Sequence, residues 1–543
     1  MPSNRSFSAN RGVMTHWLTV MLLGACFSSN LCLAQTTTAQ QLQASTTAGA
    51  QDAAKLLKKL DQLIEQNSQL QKQNNELEKQ NRELMEQIGP LRQTVASQAG
   101  ATFEATAKAS APQKEARVVA ATYQESEEPN PRDDEEQRNP PDREGKKRWG
   151  TYTPNLGFKL ADTEYGDLNV SIYTYARYLN QRALRDTFTD SFGNVKTVQQ
   201  RQDFQLQKLQ MKFLGWVIDP KLRYFLYAWS SNANQGQPAQ VVLAGNLNFN
   251  FNKHISLGAG VFSLPNTRSV EGNFPFWLSV DSRLIADEFF RGSYTSGIQL
   301  RGQITDKLRY QAMVGNNLST LGVSAAQINN KFDTFASALV WMPTTGEFGV
   351  GYGDFEDHQT LATRLAAHFS RSNEDTESQP RSDTFENTQL KLSDGNIIFT
   401  PNLFGPGVTI TDARYRMSAV DAGLKLHGYE LSGQYFWRWL DNFKGPGTAV
   451  VPSLFDHGFE MQGSAFVLPK TVQLYAGGST IFGQFGRPFD TRLGVNWFPW
   501  KNRVVRWGNE VLYLDRSPVG YTSVPFANGG TGFVFHSTWE LAF

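Results

Sequence analysis

From about Gly166 to Phe543 the chain runs in segments of roughly ten residues whose polarity alternates residue by residue. Successive side chains of a strand point to opposite faces, so each segment carries one apolar and one polar face. Tyr429, Leu431, Tyr435, Trp437 and Trp439 share one parity, while Glu430, Ser432, Gln434 and Arg438 share the other. A soluble sandwich would bury the apolar parity; a sheet closed in a bilayer turns it outward and keeps the polar parity wet. Only helices and closed sheets satisfy every backbone group in lipid, and no stretch beyond the N-terminus reaches the roughly 18 consecutive apolar residues of a spanning helix. The fold class expected is an all-β transmembrane barrel over 151–543.

The N-terminus fits this destination. Arg5 and Arg11 precede an apolar run from Trp17 to Phe27, and Cys32-Leu33-Ala34 places small residues before Gln35, the pattern of a secretory signal peptide over 1–34. Its Cys26 and Cys32 are the only cysteines, so the mature chain would carry no thiol into an oxidising compartment. Leu23-Gly24-Ala25-Cys26 offers a rival reading, a lipoprotein site with Cys26 lipidated.

Leu56, Leu63, Leu70, Leu77, Leu84 and Leu91 recur every seventh residue and form the d seam of an α-helical coiled coil over 53–95. Asn67, Asn74 and Asn81 occupy a positions, where buried amides specify register. Asn at a favours a parallel dimer, whereas a trimeric barrel would ask for three strands. Gly89-Pro90 breaks or kinks the helix. Residues 96–150 hold Ala, Ser and Gln and then mixed charges with prolines, the composition of a disordered linker.

Short turns are expected at Asp219-Pro220, Asn252-Lys253, Asp306-Lys307, His427-Gly428, Pro469-Lys470 and Lys501-Asn502. A seventh, longer one starts at Pro343 and takes in Glu347 to Gln359, unless Phe348 to Phe355 forms a strand of its own. Seven turns imply eight loops and about sixteen antiparallel strands, or eighteen with the extra strand. Long loops are expected at Arg182–Arg201, Leu264–Arg291, Asn373–Asp412 and Phe443–Asp456. Leu264–Arg291 is expected to fold into the barrel, its Phe274, Phe276, Trp277 and Leu278 against the inner wall and Arg268, Arg283 and Arg291 at a constriction. Trp216, Trp341, Trp497, Trp500 and Trp507 cluster at segment ends, where rings sit at headgroup level. Alternation turns Lys208, Lys212, Arg223, Arg301, Arg309, Arg438, Arg492 and Arg506 toward the interior, with Glu430, Glu460, Glu510 and Glu540 among them. Rings of one sign select ions, whereas mixed signs mainly keep a lumen wet. At most a mild anion preference is expected.

Two resemblances follow. The final segment, with Phe533, Phe535, Trp539, Leu541 and terminal Phe543 on one parity, resembles the assembly signal of bacterial outer-membrane proteins, read by the barrel assembly machinery. Gly260-Val261-Phe262-Ser263-Leu264-Pro265, Arg268, and Asp281 to Arg291 followed by Thr295-Ser296-Gly297-Ile298 resemble the phosphate-selective porin O/P family, and the likeness extends more weakly from Gly166 to Phe543. It leaves the coiled coil outside. The resemblance implies a homotrimer of sixteen-stranded barrels in the bacterial outer membrane, each a water-filled channel narrowed by its third loop, with the N-terminal segment in the periplasm. Phosphate-selecting members often carry Lys after the Phe; here Ser263 stands there, and Leu264 replaces a Thr.

Other classes find less support. The net charge of +1, with 34 Lys and Arg against 33 Asp and Glu from Thr151 onward, gives no bias toward nucleic acid. The seven histidines are scattered, no Ser/His/acid spacing stands out, and neither a metal-ligand cluster nor a glycine-rich phosphate loop is evident, so no enzyme, metal or cofactor is expected. The coil and linker leave a structural role open, tying membrane to cell wall with the barrel as anchor.

Overall fold

The computed structural model describes residues 150–543 except 154–155, 232–239, 272–273, 321–330, 380–389 and 522, together with the isolated residue Glu65. The signal peptide, the seam from Leu56 to Leu91 and the linker up to residue 149 lie outside the described residues.

Two short strands, β1 (Tyr152–Thr153) and β2 (Gly157–Thr163), pair with the first long strand, β3 (Gly166–Leu184). A small separate hairpin follows, β4 (Thr187–Thr189) with β5 (Val195–Thr197). Fifteen further strands run up and down: β6 (Gln202–Val217), β7 (Asp219–Ser231), β8 (Gln240–Asn252), β9 (Ile255–Ser263), β10 (Tyr294–Thr305), β11 (Leu308–Gly315), β12 (Thr334–Trp341), β13 (Ala362–Asp375), β14 (Asp412–Leu426), β15 (Tyr429–Lys444), β16 (Leu454–Leu468), β17 (Val472–Phe482), β18 (Phe489–Trp497), β19 (Val505–Asp515) and β20 (Gly532–Ala542). Each pairs antiparallel with its neighbours, and β20 closes on β3, His536 standing opposite Glu510 on one side and Leu179 on the other. The barrel therefore has sixteen strands and no free edge. Among the described residues no helix is long and apolar enough to cross a membrane.

Six short turns and the longer fourth one, 342–361, join the strands at one end, the first of them at Ile218 just ahead of the expected Asp219-Pro220, and the opposite, loop end carries the other eight connections. At His427-Gly428 both residues have positive φ, 50° and 79°, the two-residue geometry that joins Leu426 directly to its partner Tyr429. Burial alternates along the strands: in β14, Ala413, Tyr415, Met417 and Ala419 are buried inward while Val420 and Leu424 are exposed outward. Trp341, Trp497, Trp507 and Trp539 face outward near the turn end, with Trp500 exposed in the last turn. Phe348 to Phe355 is not a strand, so the count stays at sixteen.

Candidate functional site in the barrel interior

Strands β9 and β10 pair directly, Ser263 opposite Tyr294, so the thirty residues between them must leave the sheet. They turn inward as loop L3 (264–293). A six-residue helix, Ile285–Phe290, is seated on the far wall: the Ile285 N–H donates to Asp490 (3.4 Å), the Ala286 N–H to the Ser479 hydroxyl (3.0 Å), and the Tyr415 hydroxyl to the Phe290 carbonyl (2.6 Å). Wall side chains thus satisfy two of the helix's open N-terminal donors. Phe290 stacks on Phe436 with ring centres 5.0 Å apart, and Phe276, Trp277 and Leu278 are buried.

The three L3 arginines lie inside the barrel but are engaged rather than facing open water. Arg291, fully buried, meets Glu288 at 2.5 Å. Arg283 reaches Glu288 (3.3 Å) and Asp287 (3.8 Å) and lies over the Trp277 ring at 3.9 Å. Burial alone would raise the Glu288 pKa, but Arg291 and Arg283 outweigh it and hold the carboxyl down at about 2. Arg268, buried, stands 3.6 Å from Glu430 and 4.1 Å from the centre of the Tyr352 ring. Each guanidinium is neutralised locally, which leaves it little field to offer a passing ion.

Arg268 also leads to a feature the alternation did not reveal. The fourth turn, T4 (342–361), folds up into the barrel from the turn end and meets L3. The Tyr352 N–H donates to the Phe276 carbonyl (2.9 Å), and Arg268 donates to the Gly351 carbonyl (3.3 Å). Phe348, Val350, Tyr352 and Phe355 are buried, and Phe355 packs edge-on to Phe498 at 5.1 Å. Gly423 makes room for Phe348, whose ring would come within 2.8 Å of any Cβ there. Arg503 fastens the base: it donates to the Val350 carbonyl (3.2 Å), pairs with Glu356 (3.0 Å) and stacks over Phe276 and Phe355.

Asp354, Glu356 and His358 bring ligand-type atoms within 4.8 Å of one another in T4. They serve the turn's own network. Asp354 accepts from the Gly428 N–H (2.8 Å), Glu356 is held by Arg503 with Lys425 at 4.0 Å, and His358 bridges Asp354 and Glu347, the latter at 3.1 Å. Burial would lower the His358 pKa, but hydrogen bonds to Asp354 and Glu347 raise it from 6.5 to about 9. A raised folded pKa means that the stabilisation is complete below about 6.5 and is lost as pH rises through about 9. T4 is therefore expected to loosen in alkali: the urea midpoint of the detergent-solubilised protein should fall between pH 7.5 and about 10, and His358→Gln should flatten that fall.

From the loop end, Arg177 donates to the Ser523 carbonyl (2.7 Å), Gln181 to the Pro525 carbonyl (2.6 Å) and Arg438 to the Lys391 carbonyl (2.7 Å). Phe192, Phe404 and Phe485 cluster above, Phe192 and Phe485 stacked at 5.5 Å. These contacts fill one side of the barrel. On that side Arg438 pairs with Asp456 (2.7 Å), Arg492 with Asp490 (3.5 Å) and Arg506 with Glu540 (2.5 Å), all buried. The expected lining residues thus divide into two groups. Arg438, Arg492 and Arg506 belong to packed wall. Lys208 is tied to L3 through Asp281 (2.7 Å), which also accepts from the Tyr175 hydroxyl. Lys212 is buried, while Arg223, Arg301 and Arg309 are half-buried on the interior parity of β7, β10 and β11. The inner face of β6–β11 carries these five basic residues with Asn246, Asn248, Gln299 and Gln303, and one acid, Asp203, near the loop end.

No family model matches the chain, and no curated protein matches it. Solved structures similar to it include an anion-selective porin from Comamonas acidovorans (8% identity, 70% of this chain and 100% of that chain covered, TM-score 0.44). Others are the outer membrane channel DcaP of Acinetobacter baumannii (8%, 71% and 99%, 0.43) and Salmonella typhi OmpF (12%, 71% and 100%, 0.43).

Proposed function

We propose that this chain is an outer-membrane channel for passive diffusion of small solutes, with a narrow path along the β6–β11 wall that favours anions. The observation that carries the reading is a closed sixteen-stranded barrel, apolar outside and polar inside, with Arg223, Arg301 and Arg309 half-buried on the inner face of β7, β10 and β11. A bilayer accepts such a closed sheet, and basic side chains on its inner face favour the passage of anions. Purified protein in planar bilayers should show small unitary currents with a reversal potential shifted toward the anion in a salt gradient. Changing Arg223, Arg301 and Arg309 together to Gln should abolish the shift; an unchanged reversal potential would count against this path. The phosphate-selective resemblance becomes the finer proposal that phosphate is among the permeant anions, tested by competition against chloride current.

The heptad seam supports a second role beside the first. In this reading the barrel reaches outer-membrane lipid through the assembly machinery, forms a homotrimer, and extends its coil into the periplasm toward the cell wall. Sedimentation of a peptide covering residues 53–98 tests the coil: a trimer supports this assembly, and a clean dimer requires the coil to pair differently from the barrels.

A further inference from the structure

We infer that Arg371 and Arg416, side by side on the outer surface, form a seat for the phosphate groups of an anionic glycolipid headgroup. The inference rests on the outer-membrane reading and goes beyond it to a lipid-binding site.

The register places one lateral row across five strands: Phe335 opposite Arg371, Arg371 opposite Arg416, Arg416 opposite Trp439, and Trp439 opposite Phe455. All face outward by parity. Toward the barrel's middle the same strands present Phe369, Ser418 and Trp437, then Leu339, Ala367, Val420 and Tyr435. Toward the loop end they present Asn373, Arg414 and Asp441, then Asp375, Asp412 and Lys444. The row therefore marks the edge of the apolar band on the loop side. Elsewhere that edge is aromatic: Phe489 packs on Tyr513 at 5.9 Å and Tyr513 on Phe533 at 5.1 Å. Two arginines replace rings in this belt.

Like charges directly opposite across a pair of strands repel, and the protein does not cancel them fully. Asp441 pairs with Arg416 and with Arg414 (2.6 Å), so one carboxylate faces two guanidiniums before Arg371 is counted. The Arg371 side chain is exposed and makes no hydrogen bond or ion pair among the described residues, and the Arg416 side chain is 42% exposed although one of its nitrogens meets Asp441. Outward-facing donors at the headgroup level, flanked by Trp439 and Phe335 for the acyl chains and sugar rings, match a phosphorylated glycolipid. A soluble protein partner would have to cross the headgroups to reach them.

The test uses the full chain purified in detergent, incubated with lipid A carrying its phosphates, with dephosphorylated lipid A, or with inorganic phosphate, and analysed by native mass spectrometry. Phosphorylated lipid A should be retained, with retention falling about fivefold for each arginine changed to Gln. The single variant Arg371→Gln removes no internal contact, so its folding is not at risk; channel conductance should be unchanged in it. Equal retention of the two lipid A forms, or equal retention by wild type and by Arg371→Gln with Arg416→Gln, overturns the inference. Displacement by millimolar inorganic phosphate overturns it in favour of a free-anion site. Failure of the underlying reading looks different: the wild-type chain would insert into no bilayer, whatever its lipid.

Discussion

Replacing residues 347–358 with a short turn is expected to raise single-channel conductance severalfold while leaving the barrel intact. T4 enters from the turn end and fills the lumen beneath L3 with Phe348, Val350, Tyr352 and Phe355, all buried. Its backbone bonds lie outside the strand ladder, at Phe276 on L3 and at His427 in the following turn, and the strands it joins, β12 and β13, pair with each other from Trp341–Leu365 upward without it. Removing it therefore opens cross-section without removing ladder hydrogen bonds. The deletion leaves Arg268 without the Tyr352 ring and Arg503 without Glu356, so both arginines would turn toward the enlarged lumen. Anion preference should rise together with conductance. Planar-bilayer recording checks both; a deletion protein with wild-type current would mean that ions already bypass T4.

The second large effect concerns stability. Changing Arg438 to Met is expected to cost about 3–5 kcal/mol, because it leaves Asp456 buried and uncompensated. Arg438 is 1% exposed. It donates to Asp456 (2.7 Å) and to the Lys391 carbonyl (2.7 Å), and lies over the Phe289 ring at 3.9 Å. One side chain therefore joins the wall to L3 and to the loop between β13 and β14. Replacing Asp456 with Leu in the same chain should recover most of the loss, since an apolar pair of similar volume carries no desolvation penalty. Urea unfolding of detergent-solubilised protein, followed by tryptophan fluorescence, measures both changes. If the single and the double variant unfold at the same midpoint, the pair is not the source of the effect.

Much of this molecule was legible as periodicity. Alternation along β14, β15 and β20 gave each strand's two faces, and turn pairs such as His427-Gly428 gave the boundaries between strands. The length of the β9–β10 connection, with its aromatic cluster, pointed inward correctly. T4 was visible only as a long turn, because Phe348 and Phe355 read equally well as one more strand. What separates the two readings is Gly423 on the neighbouring strand β14 and Phe276 on L3, and neither is near T4 in sequence.

The sequence by itself determined the class of fold, since a two-residue period states which side chains share a face and a closed sheet is the form a bilayer accepts. It also determined that the apolar parity of each strand faces lipid, whereas the row that sets Arg371 beside Arg416 came from the register between strands. Only the tertiary structure decided which counter-charge each of several interior arginines meets. Arg291 finds Glu288 three residues away, but Arg506 finds Glu540 directly opposite on the neighbouring strand and Arg268, on L3, finds Glu430 on β15. Parity sends a charge inward; the fold brings up its counter-charge.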